Sequence, residues 1–114
     1  MTQRRVTLIL ASATGLLGLA HLALSMAIYP NWTVDALWFV GTGFAIVIGA
    51  AANLITANPV NRAGQYAKLL INLMMTGFFA AAWIVLPGPQ VILGGLLFAG
   101  LALCVVRAKF APIS

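Results

Sequence analysis

The sequence predicts an all-α integral membrane protein, with four transmembrane helices in an up-down-up-down antiparallel bundle and both termini cytoplasmic. The first observation is composition: 63% of the 114 residues are hydrophobic and 6% are charged, whereas ordinary soluble domains have about 25% charged residues. The second observation is the spacing of the charges. Three segments contain none, and they lie between Arg5 and Asp35, between Asp35 and Arg62, and between Lys68 and Arg107. Since a membrane-spanning helix needs ~20 apolar residues, each segment can hold one or two spans.

The first two uncharged segments hold one helix each, and the third holds two. Pro87-Gly88-Pro89 divides the third segment because this tripeptide cannot continue a helix. The predicted spans are approximately 6–28, 34–56, 66–86 and 90–106, within a single transmembrane domain over residues 1–114. The short connections favour antiparallel neighbours.

The first apolar segment also has features of a secretory signal. Arg4-Arg5 precede it, and Ser25-Met26-Ala27 gives a small-residue cleavage pattern. Its apolar stretch is longer than the ~7–15 residues of a signal core. We therefore interpret it as the first span.

The cations predict the orientation. All six Lys and Arg residues fall on one side of a four-span arrangement, and Asp35 falls on the other. Because short loops with Lys and Arg stay cytoplasmic, we expect both termini and the 57–65 loop inside, in a membrane that we expect to be the bacterial inner membrane. The bilayer is the expected partner. A nucleic-acid partner is not expected, since the cations are not gathered on a soluble face.

Small and polar residues predict the inward face of each helix, because membrane helices associate through close packing and hydrogen bonds. The predicted faces are Thr7, Ala11, Thr14, Gly18, His21 and Ser25 on the first span; Asp35, Trp38, Thr42, Ala45, Gly49, Ala52 and Thr56 on the second; Asn72, Thr76 and Ala80, with Gly77 and Ala81 beside them, on the third; and Gly95, Ala99 and Ala102 on the fourth. Two further rows, Gly41–Ala45–Gly49 and Gly94–Gly95–Ala99, are candidates for packing against an external helix.

His21 is the only histidine, and it is expected ~6 Å from the bilayer midplane, towards the outside. Two interpretations stay open. In the first, the imidazole fills space between helices and hydrogen-bonds Thr42. In the second, it is the polar group of a ligand pocket. The predicted pocket residues are His21, Ser25, Asp35, Trp38, Thr42 and Trp83, with Tyr29 and Trp32 as further walls.

The remaining polar residues are expected to serve packing or helix capping. Asn53, Asn72 and Thr76 are predicted to be polar helix-packing residues. Asn53 is expected nearer the inner boundary, where its amide can also reach water or loop carbonyls. Thr33 is a predicted N-cap, which places Asp35 in the first helical turn, where the helix dipole favours a carboxylate. Asp35 is expected ~9 Å above His21, too far for a direct bond.

Few residues in this chain could carry chemistry. A zinc or di-iron site needs three or more converging ligands, and the chain has one His, one Cys, one Asp and no Glu. A single haem ligand or a histidine pair across a homodimer has no further support. We predict no metal, no cofactor and no catalytic site. A coupled transporter would be expected to carry an acidic residue within the membrane, and none is present there.

Two functional hypotheses remain. In the first, the chain is a helper or structural subunit of a larger membrane assembly, or a self-associating bundle, that uses its small-residue faces. In the second, it binds or carries a small amphipathic or lipidic molecule in the outer-half pocket around His21.

Overall fold

The computed structural model describes residues 2–55 and 61–110, and these form four α-helices: α1 (Gln3–Ile28), α2 (Val34–Ile55), α3 (Arg62–Val85) and α4 (Pro89–Phe110). Each is long and apolar enough to cross a membrane. The prediction of four helical spans is therefore confirmed at the level of helix number and apolarity. Thr56, which was predicted on the inward face of the second span, lies outside the described residues.

Local capping explains where the helices begin. The side chain of Thr2 accepts a hydrogen bond from the backbone N–H of Arg5, and that of Asn61 accepts one from Gly64. These caps start α1 and α3 several residues before the predicted apolar spans, because a capped helix can continue beyond the hydrocarbon-length segment. Thr33 caps α2 as expected, since its hydroxyl accepts from the N–H of Ala36 at 3.2 Å. Pro89 is the first residue of α4. A backbone N–H at this position would have no partner within the helix, so proline, which lacks one, is well suited to it.

The helices form an antiparallel bundle. Along the α1–α2 interface, Gly18 lies against Ile46 whereas Leu22 lies against Gly43, so the two chains run in opposite directions. Among neighbouring helices, packing is most extensive between α1 and α2 and between α3 and α4, less extensive between α1 and α4, and sparsest between α2 and α3. The α2–α3 side is therefore the loosest side of the bundle.

The chain direction gives the two ends of the bundle different charges. The starts of α1 and α3 and the end of α4 lie together at one end, which we call the cation end. It carries all six Lys and Arg positions, which are Arg4, Arg5, Arg62, Lys68, Arg107 and Lys109. Asp35, in the first turn of α2, lies at the opposite end, which we call the acidic end.

The core depends on large side chains that meet glycines of another helix. Ile46, Phe98 and Leu101 are among its fully buried members. A Cβ atom added to Gly94 would lie 2.5 Å from Cζ of Phe79, and one added to Gly49 would lie 2.9 Å from Cε1 of Phe98. These glycines therefore provide the space that the aromatic rings occupy.

The predicted inward face of the first helix agrees with the structure except at one position. Its buried residues are Thr7, Ala11, Thr14, Gly18 and Ser25, and His21 is half-buried.

The predicted inward face of the second helix is wrong, because the buried face is rotated from it by about one residue. Its buried residues are Ala36, Gly43, Ile46, Gly49, Ala50 and Asn53, whereas Asp35 and Trp38 are exposed and Thr42, Ala45 and Ala52 are half-buried. The face is rotated because Gly18 of α1 leaves room for the bulky Ile46.

The predicted faces of the last two helices are right only in part. On α3, Asn72 is buried and Thr76 half-buried, but Gly77, Ala80 and Ala81 are exposed. Phe79 is buried instead, since Gly94 makes room for its ring. On α4, Ala102 is buried, and Gly95 and Ala99 are half-buried. The row at positions 94, 95 and 99 is therefore used at least partly for packing within the bundle.

Candidate functional site

Polar side chains connect helices at two places in the bundle. One is a contact between His21 of α1 and Phe39 of α2, towards the acidic end. The other is a pair of amides, Asn53 of α2 and Asn72 of α3, towards the cation end, which we call the asparagine pair. Because residues from two helices build each contact, each contact is a candidate functional site.

His21 is held by a hydrogen bond and by ring stacking. Its Nε2 lies 2.8 Å from the carbonyl oxygen of Phe39, and because a carbonyl oxygen can only accept, this nitrogen carries the donated proton. The imidazole stacks on the ring of Phe39, with centroids 3.8 Å apart and an interplanar angle of 16°. The ring of Tyr29 lies 5.3 Å from that of Phe39. Gly43 leaves space for the imidazole, since a Cβ there would lie 3.2 Å from Cδ2 of His21.

The expected hydrogen bond between His21 and Thr42 is wrong. The Thr42 hydroxyl donates to the carbonyl oxygen of Trp38 at 2.9 Å, within its own helix. Ser25 is buried and donates to the carbonyl oxygen of Leu22 at 2.6 Å, also within its own helix. The N–H of a histidine can donate either to a side chain or to a backbone carbonyl of a neighbouring helix. The sequence does not show which of these acceptors His21 reaches.

The other predicted pocket residues lie at the surface of the chain. Asp35 is exposed, and the side chains of Trp38, Trp83 and Trp32 are 71%, 46% and 72% exposed. The structure thus brings His21, Phe39 and Tyr29 together and does not bury Asp35 or the tryptophans with them. Ligand binding by His21, Ser25, Asp35, Trp38, Thr42 and Trp83 stays a prediction. Phe39 was missed because it contributes a backbone oxygen and an aromatic ring, neither of which forms a motif.

The asparagine pair is a closed, reciprocal amide contact. Nδ2 of Asn53 donates to Oδ1 of Asn72 at 2.8 Å, and Nδ2 of Asn72 donates to Oδ1 of Asn53 at 2.9 Å. Both side chains are 0% exposed. Asn53, which was predicted as a helix-packing residue, therefore hydrogen-bonds an amide of another helix and not a loop carbonyl. Asn72 does hydrogen-bond across a helix interface, and its partner is an amide.

Two further hydrogen bonds support the pair from within the helices. Nδ2 of Asn53 also donates to the carbonyl oxygen of Gly49 at 2.7 Å, and the hydroxyl of Thr76 donates to the carbonyl oxygen of Asn72 at 2.7 Å. Thr76 therefore contacts the backbone of its own helix at the pair. The pair joins α2 and α3, which are the neighbouring helices that pack least on each other.

Lys68 is a residue that the sequence analysis did not single out. It is 5% exposed and lies one turn before Asn72 on the same buried face of α3. The four-residue spacing from Asn72 was the available signal, but the position of Lys68 near a loop favoured a solvated cation. Among the described residues, no group of three His, Cys, Asp or Glu side chains could hold a metal ion.

Comparison of the chain with protein-family models, with curated proteins and with solved structures finds no match.

Proposed function

We propose that the chain is an integral protein of the bacterial inner membrane, with both termini cytoplasmic, that acts as a helper or structural subunit of a larger membrane assembly or associates with itself. Four helices of membrane-spanning length and apolarity support the membrane placement. The position of the cation end supports the orientation, since cations in short loops stay cytoplasmic. The proposal assigns no catalytic residue.

The observation that carries the association is a contrast among glycines. Gly18, Gly43, Gly49 and Gly94 lie so close to another helix that an added Cβ would come within 3.0 Å of a neighbouring side chain. Gly41 and Gly77 are exposed, and within the described residues nothing lies within 4 Å of an added Cβ. Glycine in a helix costs about 1 kcal/mol relative to alanine. At Gly41 and Gly77 no contact inside the bundle offsets this cost.

These two open glycines lie on α2 and α3, the neighbouring helices that pack least on each other. Small residues on a lipid-facing surface allow another helix to approach closely. Gly77 is accompanied by the exposed Ala80 and Ala81. We call the exposed surface around Gly41 on α2 and around Gly77 on α3 the open face, and we propose that a partner helix or a second copy packs there.

The second hypothesis, a binder of a small amphipathic or lipidic molecule around His21, has less support. A pocket of this kind needs converging polar groups that are available to a ligand. The hydroxyls of Ser25 and Thr42 donate to carbonyls of their own helices, and Nε2 of His21 donates to Phe39. The half-buried imidazole is the one feature that favours this hypothesis.

Bulky substitutions on the open face test the association. Gly77→Leu and Gly41→Leu should each lower the self-association constant, or the yield of the complex, by about tenfold or more, because the added side chain prevents close approach. Ala23→Leu, at an exposed position of α1, is the matched control and should associate as the wild type does. Fluorescence energy transfer between labelled copies and co-purification from the native membrane are the measurements. If Gly77→Leu and Gly41→Leu associate as strongly as the wild type and the Ala23→Leu control, the proposal is wrong.

A further inference from the structure

The imidazole of His21 has a second nitrogen, Nδ1, that the contact with Phe39 does not use. Nε2 carries the proton that is donated to the carbonyl oxygen of Phe39. A cationic ring with both nitrogens protonated would be costly inside a membrane. In the neutral ring Nδ1 has no proton, so it can only accept a hydrogen bond.

The orientation of the ring directs Nδ1 away from α2. Nε2 lies 2.8 Å from the carbonyl oxygen of Phe39, and Cδ2 lies 3.2 Å from the position of a Cβ added to Gly43. These two ring atoms form one edge of the imidazole, and both face α2. Nδ1 belongs to the opposite edge. It therefore cannot turn towards α2 unless the contact with Phe39 breaks.

No donor within the described ranges reaches Nδ1 of His21. The nearby hydroxyls of Ser25 and Thr42 each donate their only proton to a carbonyl oxygen of their own helix. Among the described residues, the only enclosed side-chain polar atom without a hydrogen bond is Oε1 of Gln3. Nδ1 is therefore not enclosed by the protein, and a molecule from outside can reach it.

The residues outside the described ranges are too far from His21 to supply the donor. They precede α1, join α2 to α3 or follow α4, so all of them adjoin the cation end. His21 lies ~27 Å along α1 from Gln3, whereas the four residues that follow Phe110 can extend at most ~14 Å. A donor for Nδ1 therefore comes from outside this chain.

The depth of His21 makes bulk water a poor donor. The imidazole belongs to a residue ~10 Å before Ile28, the last residue of α1. The hydrocarbon core of a membrane offers no water to polar groups, and an acceptor without a partner there is costly. A donor that is dissolved in the membrane can satisfy Nδ1 at this depth.

The charges of the chain indicate that this donor is uncharged. Gly43 of α2 lies against Leu22 of α1, and equal steps from this contact place Asp35 ~13 Å above His21. All six Lys and Arg positions lie at the cation end. An anionic or ammonium group beside Nδ1 would therefore have no counter-charge close to it, at a high cost in hydrocarbon. A hydroxyl group donates a hydrogen bond without carrying charge.

We propose that Nδ1 of His21 accepts a hydrogen bond from the hydroxyl group of an uncharged amphiphile dissolved in the membrane. The inference rests on the membrane placement under Proposed function. It goes beyond the proposed association, because the site lies on α1 and not on the open face. Of the predicted pocket residues it uses His21 alone, so it does not require Asp35 or the exposed tryptophans to converge.

A phenol and its methyl ether test this hydrogen bond. The full chain in phosphatidylcholine nanodiscs is titrated with 4-dodecylphenol and with 4-dodecylanisole, in which a methyl group replaces the hydroxyl proton. Bound probe is counted by native mass spectrometry. The wild type should bind the phenol about fivefold more tightly relative to the ether than His21→Phe does, since one hydrogen bond contributes about this factor. His21→Phe keeps a ring against Phe39, and the comparison cancels differences in probe size and partitioning.

Nitrogen NMR observes Nδ1 directly. His21 is the only histidine, so ¹⁵N-histidine labelling gives the two ring nitrogens of this residue alone. Without a probe, the protonated signal should belong to Nε2 and the unprotonated signal to Nδ1. The phenol should move the Nδ1 signal towards that of a protonated nitrogen, and the ether should leave it in place.

Three results would overturn the proposal. They are a proton on Nδ1 in the free protein, an Nδ1 signal that the phenol does not move, and a preference for the phenol that is equal in the wild type and His21→Phe. If the protein does not enter the nanodisc, the membrane placement is wrong and this proposal fails with it. If it enters and only the preference is missing, association through the open face is unaffected, because it is measured separately.

Discussion

The asparagine pair and the His21–Phe39 contact both join neighbouring helices, but in different surroundings. The amides of Asn53 and Asn72 are fully buried and satisfy each other across α2 and α3, where packing is sparse. His21 is half-buried and binds a backbone oxygen across α1 and α2, where packing is extensive. The asparagine pair should therefore contribute more to stability, because a fully buried amide left without its partner costs more than a half-buried imidazole.

The largest loss of stability is expected at the asparagine pair. Asn72→Leu leaves the amide of Asn53 buried without its interhelical partner, and an unsatisfied buried polar group costs about 1–3 kcal/mol. The free energy of unfolding, measured by denaturant titration in mixed micelles, should fall by about this amount. The α2–α3 interface should loosen first, because few other contacts hold it.

A double-mutant cycle isolates the pair itself. Asn53→Leu/Asn72→Leu removes both amides and leaves neither one unsatisfied, so its cost should be smaller than the sum of the two single variants. Interhelical hydrogen bonds in membranes give coupling energies that average ~0.6 and reach ~1.7 kcal/mol. Strictly additive costs would show that the two amides do not interact in the folded protein.

The next largest effect is expected from alanine at a closely packed glycine. In Gly94→Ala the new methyl group would meet the buried ring of Phe79 at 2.5 Å, and overpacking of this kind costs about 1–3 kcal/mol. Gly77→Ala is the matched control. In the described structure its methyl group meets nothing within 4 Å, so stability should stay the same or rise by up to ~1 kcal/mol through helix propensity. Equal effects of the two substitutions on unfolding would contradict the described α3–α4 packing.

A smaller effect is expected at His21. His21→Leu removes one hydrogen bond to a backbone oxygen and one stacked ring, and should lower the free energy of unfolding by about 1 kcal/mol. His21→Phe keeps a ring against Phe39 and should lose less. If His21→Leu folds normally but no longer retains a bound small molecule that the wild type carries, the pocket hypothesis gains support. If it retains whatever the wild type retains, that hypothesis is wrong.

The smallest effect is expected at Thr42. Its hydroxyl donates to a carbonyl of its own helix, and such bonds do not join helices and slightly disfavour a straight helix. Thr42→Ala should change the free energy of unfolding by less than about 0.5 kcal/mol. A loss as large as that of Asn72→Leu would indicate an interhelical role for Thr42 that its contacts do not show.

The number of helices and the face of α1 could be predicted from the sequence, because both depend on periodicity within one helix. Small residues spaced by three and four recur from Thr7 to Ser25, and the structure buries this row with His21 half-buried. The positions of Pro87 and Gly88 likewise predicted the break between α3 and α4.

The faces of α2 and α3 could not be predicted in this way, because they depend on complementarity between helices. Ile46 is buried where Gly18 leaves room, and Phe79 is buried where Gly94 does. A bulky residue opposite a glycine of another helix looks, within its own helix, like a lipid-facing residue. The partners of Asn53 and His21 were missed for a related reason, since one is an amide on another helix and the other is a backbone oxygen.

Native mass spectrometry of the protein, extracted gently from its own membrane, tests the proposed association most directly. The account predicts either a homo-oligomer or a stoichiometric complex with another protein chain, and predicts that Gly77→Leu shifts it towards the monomer. A wild-type monomer without any protein partner would contradict the account. If that monomer carried a defined small mass, the pocket around His21 would become the better hypothesis.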